Sequence, residues 1–292
     1  MSNDNNKEID HVSGTETTGH EWDGITELNT PLPRWWLWLF YACIVFAIGY
    51  WILMPAWPTF GGYTHGLLNH SVRDDVQAGL HALKTARAGK EAELAHASLQ
   101  DIEKNPDLLQ FALAEGKASF GDNCAPCHGA GGQGSRGYPN LNDDVWLWGG
   151  KLDDIQHTIT VGVRSTSPNT RQSQMPSFGR DAMLNPAQVD DLTQYVLHLR
   201  AQPANMAAVK RATKLFADNC SVCHGAEGKG NRSMGAPNLT VHSGWLYGSR
   251  REDVHDQIWN GHGGVMPTWE GRLSPETIKS LAIYVHSLGG GE

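Results

Sequence analysis

The pentapeptide Cys-X-X-Cys-His occurs twice, as Cys124-Ala125-Pro126-Cys127-His128 and as Cys220-Ser221-Val222-Cys223-His224. This is the attachment sequence for c-type haem: the two thiols form thioether bonds to the porphyrin and the adjoining histidine supplies an axial ligand. Two matches in matching surroundings identify a chain that carries two covalently bound haem c groups and moves electrons. A zinc reading of the Cys pairs fails on the 92 residues between Cys127 and Cys220 and on the histidine that directly follows each pair.

The surroundings repeat with the motif. NCAPCHGA (Asn123–Ala130) is matched by NCSVCHGA (Asn219–Ala226), and each is followed by a glycine-rich stretch and Pro-Asn-Leu, at Pro139 and Pro237. Trp-Leu follows at Trp146 and Trp245, then a polar helix-like segment ending at Gly162 and Gly261. Met-Pro comes next, at Met175 and Met266, and each half closes with an amphipathic segment, Leu184–Leu199 and Leu273–Leu288. The offset between halves is 96 at the first cysteine, 99 at the glycine and 91 at the methionine, so the first half carries eight extra residues within Arg164–Gln174. This is a duplicated domain, too few copies for a solenoid.

The repeat defines the candidate site. Covalent attachment falls to Cys124, Cys127, Cys220 and Cys223. His128 and His224 are the proximal ligands, bonding iron through Nε2. In cytochromes of this class a proline carbonyl accepts from Nδ1 and fixes the ring, and Pro139 and Pro237 hold that position. Met175 and Met266 are the distal candidates, since a thioether stabilises ferrous iron and raises the potential relative to a second histidine. Methionine is otherwise common core filler, but the repeated Met-Pro before an aromatic residue and a glycine (MPSFG, MPTWEG) singles these two out. His262, four residues before Met266, is the rival that would give a bis-histidine site. With both axial positions filled, iron passes electrons and has no vacancy for substrate. A gas sensor or peroxidase would need such a vacancy, and no other catalytic constellation is present in the sequence.

Trp35–Met54 is twenty residues without a charge, and no charged residue follows until Arg73. At ~1.5 Å per residue it spans ~30 Å, the thickness of a bilayer core. Tryptophans and a tyrosine cluster at both ends, as in interfacial aromatic belts. A cleaved signal peptide would be shorter and nearer Met1, and a buried core helix is rarely so aromatic. The segment therefore reads as an uncleaved anchor. Haem c is attached outside the cytoplasm, so the haem domains lie outside and residues 1–34 inside.

The expected architecture is mainly α: one N-terminal transmembrane helix followed by two tandem class I cytochrome c domains. The divisions are a cytoplasmic tail 1–34, the membrane helix 35–57, a partly helical periplasmic linker 58–105, and cytochrome domains 106–202 and 203–292. Residues 1–30 are polar and read as disordered or extended. Asp74–Ile102 reads as helix. Within each haem domain, small Gly116 and Ala212 are expected where the first helix crosses the last, near Tyr195 and Tyr284. A formal net charge of -8 argues against nucleic acid and suits a basic soluble cytochrome as donor.

TTGHEWDGI (Thr17–Ile25), PLPRWWLWLFY (Pro31–Tyr41) and YWILMPAWP (Tyr50–Pro58), followed by two haem domains, resemble the dihaem subunit III of cbb(3)-type cytochrome c oxidases, the CcoP or FixP family. The resemblance covers essentially the whole chain, and the anchor motif discriminates it from other dihaem modules. It implies a bacterial inner-membrane subunit that accepts electrons from a donor cytochrome c and passes them to the monohaem subunit II. From there they reach subunit I, where oxygen is reduced and protons are pumped; a small fourth subunit is a further partner. It also implies exchange of the distal methionines, Met175 serving the Cys220 haem and Met266 the Cys124 haem; the residues alone leave the in-domain arrangement equally open. The chain would not be catalytic by itself, because a haem–copper site needs several histidine-bearing membrane helices. The alternative is a dihaem subunit of another membrane complex, such as a quinol-linked dehydrogenase or a nitric oxide reductase.

Overall fold

The computed structural model describes residues 8–291, and the chain divides into two compact units after Lys84. In the first unit, strands β1 (Thr17–Trp22) and β2 (Ile25–Leu28) pair antiparallel. Of the two readings of residues 1–30, disordered or extended, the described part is extended and, beyond that reading, paired. The reason is local: Asp23 and Gly24 both adopt positive φ (50° and 84°), the backbone of a two-residue hairpin turn for which Asp-Gly is favoured. The low apolar content of the segment concealed that signal. Residues 1–7 of the expected cytoplasmic tail lie outside the described residues.

Helix α1 (Arg34–Leu53) buries none of its residues. A helix apolar on all sides, long enough to cross a bilayer and without a protein partner, is a candidate membrane span. Its C-terminal carbonyls are taken up by the chain that follows: Met54 N–H donates to Tyr50, Leu67 N–H to Ile52 and Leu68 N–H to Leu53. Between these donors lies a small hairpin, β3 (Pro58–Thr59) with β4 (Gly62–Tyr63). Helix α2 (Val72–His96) then runs on into the second unit.

The second unit is helical. The last turn of α2 and the short α3 (Leu99–Lys104) contribute fully buried Leu94 and Ile102 to a core. The Lys279 ammonium closes the α2 end by donating to the carbonyls of Leu94, Ala95 and Ala97, a cation at the negative pole of a helix. The first repeat supplies α4 (Pro106–Asn123), α5 (Ala125–His128), α6 (Leu152–Val161) and α7 (Pro186–Leu199). The second supplies α8 (Met206–Asn219), α9 (Ser221–His224), α10 (Arg251–Asn260) and α11 (Pro275–His286). The closing helices start on the caps legible in the sequence. Asn185 forms a capping box with Gln188, Ser274 accepts from Thr277 N–H, and proline occupies the first helical turn of both.

The closing helices do not pack on their own repeats. The last helix, α11, lies on α4 and α6, while α7 lies on α8 and α10. Gly116 of α4 meets the backbone of Ser280 and the Cβ of Tyr284, and Phe120 meets the Tyr284 ring at 5.3 Å. In the other core Phe216 stacks on Tyr195 at 4.7 Å, beside fully buried Ala212. The small residues do sit at the crossings, but each crossing joins the first helix of one repeat to the last helix of the other. Two cores result. One gathers Leu108, Ala112, Phe120, Ile155, Ile278 and Leu281; the second gathers Phe178, Val189, Leu192, Phe216, Val254 and Ile258.

A double-mutant cycle tests this pairing. Alanine substitutions at Phe120 and Tyr284 should couple by about 0.5–1.5 kcal/mol, as ring pairs do. Phe120 and Tyr195 should add independently. Denaturant unfolding of the purified chain measures both.

Candidate functional site

Each Cys-X-X-Cys-His segment is a sharp turn leaving a helix. Cys124 ends α4 and Cys220 ends α8, their amides donating to Phe120 and Phe216 carbonyls. The next four residues form the single-turn helices α5 and α9, which set two cysteines and a histidine on one short loop. Gly129 and Gly225 then reverse the chain with φ of 82° and 77°, a conformation that a side chain would strain.

The two imidazoles are held alike. His128 Nδ1 lies 3.1 Å from the Pro139 carbonyl and His224 Nδ1 lies 3.0 Å from the Pro237 carbonyl. Each carbonyl can only accept, so Nδ1 carries the proton and Nε2 keeps its lone pair. Burial holds both histidines below their ordinary pKa, against a smaller opposing effect of the proline bond. A neutral ring with a fixed orientation and a free Nε2 is what an axial ligand requires. Burial also pushes Cys124 up to about 11 and Cys220 up to about 12, with the neighbouring cysteine adding to the rise.

A cavity opens against the second motif. Its wall includes Cys220, Cys223, His224, Pro237, Phe216, Leu239 and Trp245, and the methionine in it is Met175, from the first repeat. Met266, from the second repeat, packs into the core that contains Cys124, Leu141, Trp146 and Phe120. Apolar walls, two thiols, an imidazole with a free Nε2 and a thioether are the donor set of a haem c with histidine and methionine axial ligands. The residues present fit that group.

Two glycines show how the methionine segments are seated. Gly162, after α6, has φ 72°, and a Cβ there would collide with the Met266 carbonyl. Gly261, after α10, has φ 62°, and a Cβ there would collide with the Met175 carbonyl. Around the first of these, Val163 and Met266 exchange backbone hydrogen bonds, both 3.0 Å. Phe178 and Gly179 N–H donate to Ile258 and Trp259, and Trp269 N–H donates to the end of α6. The eight-residue insertion is anchored by Arg164, whose guanidinium donates to Gly264 O (2.6 Å) and Ser173 O (2.5 Å).

The candidate site residues therefore fall into two groups: Cys124, Cys127, His128, Pro139 with Met266, and Cys220, Cys223, His224, Pro237 with Met175. His262, the rival ligand, has its Nε2 2.8 Å from Asp256 Oδ2 and stacks on Tyr247 at 4.6 Å. That nitrogen is engaged by a carboxylate. The sequence reading did not single out Arg164 or Tyr247 as cavity-wall residues. The repeated Trp-Leu was the signal available for Trp146 and Trp245.

Fold and site together define a duplicated c-type cytochrome with two haem c groups and a candidate membrane anchor. Family comparisons agree along the chain. Residues 14–61 match the N-terminal domain of cytochrome oxidase-cbb3, FixP; 113–200 match cytochrome c; and 207–285 match cytochrome c oxidase, cbb3-type, subunit III. The cbb3-type cytochrome c oxidase subunit FixP of Bradyrhizobium sp. (strain ORS 278) is 56% identical over 98% of both chains. FixP of Sinorhizobium medicae is 50% identical over 99% of both. The subunit CcoP of Azospirillum brasilense is 47% identical over 98% of this chain and 99% of its own. The chain belongs to the FixP/CcoP family, subunit III of the cbb3-type cytochrome c oxidases.

Substituting the hinge glycines separates the two sites. Gly261→Ala should displace the Met175 segment alone and open one of two haems to carbon monoxide in the reduced protein. Gly162→Ala should do the same at the other haem. Carbon monoxide difference spectra, with one equivalent bound per chain in each variant, check both.

Proposed function

We propose that this chain is the electron-transfer subunit of a cbb3-type terminal oxidase and is not catalytic alone. It accepts electrons from a donor cytochrome c and passes them to the monohaem subunit II, from which they reach the oxygen-reducing, proton-pumping subunit I. The observation that carries this reading is one chain holding both the FixP-type anchor segment and two Cys-X-X-Cys-His segments, each with a methionine of the other repeat at its core or cavity. Haem c, when bound, supplies a one-electron ferric–ferrous couple at each site.

Within that reading, Cys124 and Cys127 attach one haem and Cys220 and Cys223 the other. His128 and His224 are proximal ligands oriented by Pro139 and Pro237. Met266 is the distal ligand of the first haem and Met175 of the second. Support comes from the cavity that Met175 shares with His224 and from Met266 packing against the same core as Cys124. Apolar side chains at both sites exclude water, which limits the reorganisation that accompanies electron transfer. The functional haem units thus draw on both repeats, whose sequence bounds are 106–202 and 203–292.

The anchor sits in a bacterial inner membrane, with its N-terminal side cytoplasmic and the haem units periplasmic. This orientation rests on haem c attachment being completed outside the cytoplasm. The net charge of -8 favours a basic donor cytochrome.

Replacing a distal thioether by imidazole tests the assignment. Met266→His should lower one of the two midpoint potentials and slow oxygen uptake with a cytochrome donor, and Met175→His should lower the other. A redox titration unchanged by both would contradict the ligand roles. Native-membrane extracts should also carry b-type haem and a carbon monoxide-reactive component with the tagged chain; pure c-type bands would place it in another complex.

A further inference from the structure

Arg200 ends α7 with 2% of its surface exposed, among the largest fully buried side chains described. One terminal nitrogen donates to the Ser249 carbonyl at 2.7 Å. The buried Nε has no hydrogen-bond partner, and among the described residues no carboxylate pairs with the guanidinium. Its flat face lies 4.5 Å from the centre of the Trp245 ring. Trp245 is in the wall of the cavity that holds Cys220, Cys223, His224 and Met175. A cation buried with no protein carboxylate beside it is costly and acts strongly on its surroundings because little water screens it.

The other site lacks this charge. Position 289 is the repeat equivalent of 200, and it is glycine. Leu199 and Leu288, one residue earlier, make matching contacts on Gly228 and Gly132, so the two helix ends are seated alike. Trp146, the counterpart of Trp245, donates its indole N–H to the Gly290 carbonyl. Trp245 likewise donates its indole N–H to a carbonyl, that of Val241, so the difference between the two is the guanidinium lying over the Trp245 ring. Arg164 stands in the cavity wall itself, bonded to the Gly264 and Ser173 carbonyls, and adds to the positive field at this site. Arg171 is paired with Asp154.

We propose that Arg200 is a positioning and tuning residue that raises the potential of the haem attached at Cys220 and Cys223. A fixed positive charge behind the cavity wall disfavours the ferric state, which carries one more positive charge than the ferrous. Stacking on Trp245 keeps the guanidinium, and the indole it covers, in one orientation. The inference rests on the ligand assignment above.

The test is a redox titration of the purified full chain. Arg200→Gln should shift the ferric–ferrous equilibrium of one haem about tenfold toward ferric, equivalent to about 59 mV for one electron, and leave the other midpoint in place. Arg200→Lys should keep most of the wild-type value. Combining Arg200→Gln with Met266→His assigns the wave: the two substitutions should move different midpoints. If Met266→His moves one midpoint while Arg200→Gln moves neither, both equally, or the same one, the Arg200 role is overturned and the ligand assignment survives. If Met266→His moves nothing, the ligand assignment itself has failed. Should the glutamine variant not retain haem, Arg200→Met, which keeps the apolar stem against Trp245, is titrated in its place with the same outcomes.

Discussion

Everything at the two sites depends on where the closing helices land. Each repeat ends in an amphipathic helix with the same apolar pattern, and either helix could in principle cover either core. The chain places α11 on α4 and α7 on α8, and each Met-Pro segment arrives ahead of its helix. The glycines at 162 and 261 let the incoming backbone approach the ends of α6 and α10. A single topological choice thus fixes the helix crossings, the seating of both methionines and the linkage of the two haem units into one folding unit.

That linkage has an energetic consequence. A unit of about 90 residues buries a smaller share of its surface than a larger domain does, and is correspondingly marginal alone. Here each core is closed by a helix from the other repeat, and the first is extended by Leu94, Leu99 and Ile102 from the segment that follows the anchor. The Lys279 ammonium on the end of α2 joins the last helix of the chain to that segment. Loss of either repeat would leave the other with an uncovered core, so the two haem sites are expected to form together.

Much of this was legible in the residues. The duplicated motif located both sites, the proline carbonyls fell where the imidazoles need them, and Asn185 and Ser274 marked the starts of the closing helices. The apolar run Trp35–Met54 matched the helix Arg34–Leu53 to within a residue at each end. The wider division 35–57 overran it by four residues, because Met54 is already extended and Pro55 and Pro58 follow. The pairing of repeats was not legible, because Gly116 and Ala212, and Tyr195 and Tyr284, are equivalent by pattern. Only three-dimensional contact distinguishes partners that the sequence makes interchangeable. The Asp23-Gly24 turn was written plainly but lay in a segment too polar to suggest paired strands. Nothing in the sequence pattern sets Arg200 apart from other basic residues at helix ends, where such residues favour solvent and the helix dipole; its burial against Trp245 follows from the helix exchange.

The most direct test of the exchange uses a chain with one haem. Replacing Cys220 and Cys223 by serine removes the second attachment and leaves the haem at Cys124 and Cys127 to titrate alone. If Met266 serves that haem, Met266→His in this background lowers the remaining midpoint and Met175→His leaves it unchanged. The reverse pattern, with Met175→His lowering it and Met266→His without effect, would contradict the exchanged arrangement.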